Sequence, residues 1–283
     1  MLRDRVLSAA VGLPPLLLIV WLGDDWFPLF TLMIAAVAAW ASFEFYGMVK
    51  RAGYHPLTIP GTLLSVLLVG SFSLGKGNPF SLLIGSFDVR GGAPSSILAL
   101  GVGLSLVIFL FHRSTVTALT DWALTLAGIL YIGFLYGYFI LLRDHQPYGR
   151  EWLLLVLAST FASDTVAYFV GRRFGAHRLA PVISPKKSWE GTVAGWLGAV
   201  GAALLMFWLF QLPGFPFQAI VLGGIVGIVG QLGDLGESLL KRSAGVKDAS
   251  SAIPGHGGLL DRMDSLAFAT VAAYHYIALV MIT

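Results

Sequence analysis

Trp152-Leu153-Leu154-Leu155-Val156-Leu157-Ala158-Ser159-Thr160-Phe161-Ala162-Ser163-Asp164-Thr165-Val166-Ala167-Tyr168-Phe169-Val170 runs for nineteen residues with a single charge, Asp164. A helix needs roughly 20 mostly apolar residues to cross the hydrocarbon core of a bilayer, so this stretch is long enough to span one. Its run Leu153–Leu157 does not alternate in polarity, as a transmembrane strand would over about ten residues. The stretch reads as a membrane helix, and the acid inside it is costly enough to be a functional candidate.

The rest of the chain repeats the pattern. Stretches near 6–22, 26–46, 57–74, 95–111, 121–142, 152–170, 190–210, 217–235 and 260–281 are each apolar and each bounded by charge or by Gly, Pro or Asn. Of the 283 residues 57% are hydrophobic and 12% charged, and the mean hydropathy is +0.80. Soluble domains carry about 25% charged residues, so a soluble fold, disorder and DNA-binding folds are all excluded. The absence of cysteine removes disulfides, thiolate nucleophiles and Cys-ligated zinc. A formal net charge of +3 is too small to argue for a nucleic-acid partner. The expected fold is all-α and polytopic, with about nine transmembrane helices.

Basic loops are retained in the cytoplasm. With a cytoplasmic N-terminus and nine spans, only Lys76, Arg90, Arg143 and Arg150 fall outside, and the other fourteen Lys and Arg residues fall inside. The N-terminus, with Arg3 and Arg5 before an apolar run and no small-residue cleavage site after Trp21, reads as an uncleaved signal anchor. Residues 1–150 read as scaffold and lipid access. Residues 151–283 read as the catalytic region, with basic, Gly-rich cytoplasmic loops at 171–190 and 236–259.

Gly70-Ser71-Phe72-Ser73-Leu74-Gly75-Lys76-Gly77 nearly spells a phosphate-binding loop, but Gly77 stands where a hydroxyl should hold magnesium and no strand precedes it. More promising are Asp164, Asp234, Asp261 and Asp264, all expected near the cytoplasmic interface. Asp261 and Asp264 share a helix face, where they could equally cap the helix. Hard oxygen ligands of this kind suit Mg²⁺. Lys186, Lys187, Lys241, Arg242 and Lys247 supply cations, and Gly255, Gly257 and Gly258 let backbone N–H groups approach an anion before a helix N-terminus. Arg172, Arg173 and Arg178 read as headgroup anchors or topology signals as readily as ligands. Carboxylates for metal with cations for phosphate equip a site for phosphoryl or nucleotidyl transfer. The pairs Gly133/Gly137, Gly191/Gly195 and Gly223/Gly227 fit small-residue helix packing, inside one chain or across a homodimer.

The stretch Ser238 to Asp264 resembles the signature of phosphatidate cytidylyltransferases, the CDP-diacylglycerol synthases. The matching residues are Ser238, Lys241, Arg242, Lys247, Asp248, Pro254, His256, Gly257, Gly258, Asp261, Arg262 and Asp264. The resemblance continues upstream at Asp164, Tyr168, Gly171, Arg172 and at Ser184-Pro185-Lys186-Lys187-Ser188-Trp189-Glu190-Gly191. It covers residues 160–265; the first 150 match only in hydropathy. Two positions depart from it: Ser188, where the family often has Thr, and Ala249, where it often has Ser and where a phosphate contact is expected to change.

The resemblance implies transfer of CMP from CTP to phosphatidate with a divalent metal, Mg²⁺, and room for a second cation. On that reading Asp234 and Asp261 hold the metal, with Asp264 and Asp164 completing its surroundings, and Lys241 and Lys247 join the acids in catalysis. Ser184, Lys186, Lys187, Arg242, His256, Gly257, Gly258 and Arg262 bind the triphosphate and the lipid headgroup. The partners implied are cytosolic CTP and phosphatidate in the inner membrane. Alternatives are transfer to another lipid, such as an isoprenoid ether phosphatidate analogue or a polyprenol, and an ion-coupled transporter using the same acids.

Overall fold

The computed structural model describes residues 14–22, 28–73, 92–111, 115–250 and 257–281. Its helices are α1 (Leu29–Arg51), α2 (Thr58–Ser71), α3 (Ala93–Leu110), α4 (Ala118–Arg143), α5 (Gly149–Phe174), α6 (Trp189–Leu209), α7 (Pro216–Ser243) and α8 (Leu260–Tyr276). Helix α4 contains a π-helical stretch, Ile129–Phe134, and α8 runs on into another, Ile277–Met281. Residues 14–22 are also helical.

Among the described residues seven helices are long and apolar enough to cross a membrane, not nine. Helix α2, at 14 residues, is only about 21 Å long by the usual rise per residue. Of the stretch near 6–22, only 14–22 lies within the described residues. The signal-anchor reading and most of the outer loop 75–94 lie outside them. The near P-loop does too beyond Ser73, and helix α2 rather than a strand leads into it.

The span expected to end at 235 continues as helix to Ser243, so the first part of the expected loop 236–259 is helical. Hydropathy reports where the bilayer ends; a helix continues past that point as long as its backbone bonds persist. The fold is also not wholly helical. The loop after α5 holds a small antiparallel hairpin, β1 (Arg178–Ala180) and β2 (Ser184–Ser188), with Arg178 opposite Ser188 and Ala180 opposite Ser184.

The chain forms two compact units. One comprises residues 1–141 with 243–261, the other 142–242 with 262–283. In the first, the fully buried Tyr46 of α1 donates a hydrogen bond to the Thr125 carbonyl at 2.8 Å. Its ring packs so tightly on Gly61 and Gly128 that a Cβ at either would collide with it. The link between α1 and α2 is fastened to α4: Asp121 accepts from the His55 N–H at 2.7 Å and Thr125 from the Leu57 N–H at 2.9 Å.

In the second unit, α7 carries its close approaches on successive turns. A Cβ at Gly223 would meet Ala203 at 2.7 Å, one at Gly227 would meet Ala199 at 3.0 Å, and one at Gly233 would meet the Asp264 carbonyl at 2.7 Å. Gln231 donates to the Thr192 carbonyl at 3.0 Å, tying α7 to α6 just before Asp234. Gly191 and Gly195 press on α5, and Gly133 and Gly137 press on Ser65 and Phe72 in the first unit. All three glycine pairs therefore find their partners inside the chain.

The hairpin is held at its base by Glu190. Its carboxylate accepts from the backbone N–H groups of Ala176 and His177, each at 3.2 Å, and pairs with the His177 ring at 2.7 Å. Ser188, buried, is the N-cap of α6: its hydroxyl accepts from the Gly191 N–H at 3.2 Å. That is the work of the hydroxyl that distinguishes Ser188 from an apolar residue, and a Thr could do the same.

Candidate active site

Helix α7 builds one cluster, because residues three or four apart share a helix face. Asp234, Glu237, Ser238 and Lys241 recur at that spacing. The Asp234 carboxylate meets Lys187 Nζ at 2.8 Å, both side chains partly exposed, and accepts from the Ser238 hydroxyl at 3.3 Å. One turn on, Glu237 is fully buried and pairs with Lys241 Nζ at 2.9 Å. Asp264 comes from α8. It accepts from the Ser265 N–H at 2.6 Å. The charges of Asp264, Asp234, Lys187 and Arg262 all act on Asp164 of α5.

The hairpin explains why the two lysines of β2 differ. Successive strand residues face opposite ways. Lys187 is half-buried and reaches Asp234, whereas Lys186 is exposed. Ser184, half-buried, pairs with Ala180 at the start of the strand. Arg242, at the end of α7, donates to the Ile183 carbonyl at 3.3 Å and so fastens the hairpin's turn. Arg262 is exposed on the first turn of α8.

Asp261 belongs to the other unit, and so do its partners. Its carboxylate accepts from the N–H of Gly258 at 2.7 Å and of Ala249 at 3.2 Å. Asp261 also stands in the first turn of α8, where an acid complements the helix dipole. Glu44 of α1 accepts from the N–H groups of Leu259 at 3.1 Å and Leu260 at 2.7 Å, and from the Ser250 hydroxyl at 2.6 Å. A Cβ on Gly258 would lie 2.6 Å from the Glu44 carboxylate and 3.1 Å from that of Asp261. Gly257 has φ +79. These glycines make room for two carboxylates and a left-handed turn, and the Gly258 N–H that could have met a substrate phosphate is given to Asp261.

Ala249 is 1% exposed. Its carbonyl accepts from Arg51 and its N–H serves Asp261, so this position contributes backbone. Lys247 and Asp248 are exposed. His256 lies outside the described residues. Sequence reading missed two buried acids, Glu44 and Glu237. Glu44 is the lone acid of an otherwise apolar span, the same signal that marked Asp164. Glu237 is followed four residues later by Lys241, the favourable order for a helix pair.

A model of the cytidylyltransferase family matches residues 3–280. The chain belongs to that family. The phosphatidate cytidylyltransferase of Synechocystis sp. is 30% identical over 304 residues, covering 98% of this chain and 97% of the relative. That of Bacillus subtilis is 34% identical over 282 residues, covering 98% of each. The Brucella abortus phosphatidate cytidylyltransferase is 35% identical over 170 residues, 59% of this chain and 63% of the relative. Membership in the cytidylyltransferase family thus extends through the N-terminal helices, where the motifs alone were silent.

Among the described residues of this cytidylyltransferase-family chain, no three Asp, Glu or His side chains converge as a ready-made metal cage. Mg²⁺ does not require one: it usually takes one or two carboxylates and completes its shell with water and substrate phosphate. Asp234 and Asp264 fit that demand: each offers hard carboxylate oxygens, and Asp234 is only partly buried.

Proposed function

We propose that this membrane protein transfers CMP from CTP to phosphatidate, giving CDP-diacylglycerol and pyrophosphate. The observation that carries the reading is the full-length likeness to two phosphatidate cytidylyltransferases. The acid and lysine cluster on α7, β2 and α8 supports it. Neither another acceptor lipid nor an ion-coupled transporter has an observation in its favour.

A phosphate oxygen of phosphatidate attacks the α-phosphorus of CTP. A new P–O bond forms, the bond from the α-phosphorus to the oxygen bridging the β-phosphorus breaks, and its electron pair leaves with pyrophosphate. The attacking oxygen is already anionic near neutral pH, so the protein's work is positioning and charge neutralisation rather than proton abstraction. Asp234 and Asp264 would hold Mg²⁺, which supplies charge neutralisation at the triphosphate; Asp164 adds negative charge beside them. Lys187 orients Asp234, and Lys241 balances Glu237. The exposed Lys186 and Arg262 suit phosphate oxygens. Asp261 remains a metal-ligand candidate, as does Lys247 for catalysis.

The lopsided distribution of Lys and Arg supports an active site on the cytoplasmic side of the inner membrane, where cytosolic CTP and the membrane-held lipid can meet. The test is purified protein in detergent with labelled CTP, phosphatidate and Mg²⁺. Labelled CDP-lipid and pyrophosphate are expected together. Reaction with a different lipid acceptor and none with phosphatidate would overturn the substrate assignment. Asp234→Asn and Asp261→Asn are each expected to abolish turnover in a folded protein, and near-normal activity in either removes that residue from the site.

A further inference from the structure

Helix α8 begins with a leucine-rich turn that cannot cap itself. The first N–H groups of a helix have no partner within it, and Leu259, at the N-cap position, has no side-chain acceptor. Glu44 supplies one from α1, 215 residues away in the chain. Its carboxylate also accepts from the Trp40 ring N–H at 3.0 Å and from the Ser250 hydroxyl at 2.6 Å. Ser250 and Leu259 stand on opposite flanks of residues 251–256, so Glu44 ties the two flanks together.

Asp261 does the same one layer away, through Ala249 on one flank and Gly258 on the other. Gly258 sits between the two carboxylates, with no space for a Cβ. The position of the Asp261 carboxylate is therefore set by a turn whose other wall is Glu44. A residue of the first described long helix, in a region with no motif of its own, defines the geometry of a signature acid.

We propose that Glu44 is a positioning residue for CMP transfer, acting by holding the Gly258–Asp261 turn in its working shape. This rests on the functional reading above, and within it on Asp261 as a metal-ligand candidate. The nearest bland account is that Glu44 is only a helix cap, important for folding and indifferent to turnover.

The two accounts separate in Glu44→Ala and Glu44→Gln, measured in purified full-length protein by amide hydrogen exchange and by steady-state kinetics. Loss of the carboxylate is expected to speed exchange in a peptide covering 257–261 by about tenfold or more, with peptides from α6 and α7 unchanged. The kcat should fall by roughly 10- to 100-fold while the KM for CTP stays within about threefold, the pattern of a misplaced group rather than a lost ligand. Glu44→Gln keeps one carbonyl acceptor and should fall between, in exchange and in kcat alike; it also serves if the alanine variant does not fold.

Faster exchange with unchanged kcat would reduce Glu44 to a cap and overturn the proposal. So would unchanged exchange. If the wild type reacts with a lipid other than phosphatidate, the substrate assignment fails while the same variants, assayed with that acceptor, still decide the role of Glu44.

Discussion

Lys241→Met removes the cation facing Glu237 and keeps most of the stem's bulk. Glu237 has a side-chain exposure of 0% and Lys241 of 12%, with Nζ and Oε2 2.9 Å apart. Taking the partner from a buried ion pair leaves a buried charge uncompensated, at a cost of about 3–5 kcal/mol. At roughly 2–4 °C per kcal/mol for a chain somewhat smaller than this one, the midpoint of thermal unfolding should fall by about 10 °C.

The double variant Glu237→Gln/Lys241→Met removes both charges, and most of that loss should return. Glu237→Gln alone should cost much less than Lys241→Met, since the ammonium lies nearer the exposed end of the pair. Thermal unfolding of the four proteins in one detergent closes the cycle and yields the coupling energy. Equal destabilisation in Lys241→Met and in the double variant would mean no coupling, and would refute charge compensation inside α7. The double variant should still be inactive in CMP transfer, because stability and the cluster's charge pattern are restored by different changes.

Lys187→Ala should lower kcat/KM by more than about tenfold, because it frees the Asp234 carboxylate, whereas Lys186→Ala should act mainly on KM; equal kinetic effects would refute the inward and outward assignment of β2. Ser188→Ala should cost about 1 kcal/mol of stability through loss of the α6 cap, and Ser188→Thr only a few tenths, both read from thermal unfolding. Gly258→Ala should destabilise by about 1–3 kcal/mol through overpacking against Glu44 and Asp261; an unchanged midpoint would show that the turn has slack. Because the chain has no cysteine, Lys247→Cys introduces a single thiol. A membrane-impermeant maleimide should label it in inverted but not in right-side-out vesicles, and the opposite result would reverse the orientation.

Much of this protein is written locally, and there the sequence suffices. A run such as Leu153–Leu157 must leave water, and in a bilayer its backbone must bond to itself, so membrane helices follow from residue type and length alone. The acids Asp164, Asp234, Asp261 and Asp264 stand out for the same reason: ionisable groups are costly in that setting. The signature from Ser238 to Asp264 points to nucleotidyl transfer before any coordinate is known. Helix ends are less legible, since polarity marks the edge of the bilayer and α7 continues through Glu237 and Lys241 to Ser243.

What no local reading could supply is which groups meet. Lys187 rather than Lys186 faces Asp234 because a hairpin fixes the strand's sidedness. Glu44 reaches Leu259 and Leu260 only because the chain returns to α1 after more than two hundred residues. Gly258, which in the sequence invites a phosphate, is instead the gap between two carboxylates. Composition and periodicity depend on each residue's own preference for lipid or water. Pairings depend on the path of the whole chain, and so the working arrangement of the acids belongs to the tertiary structure.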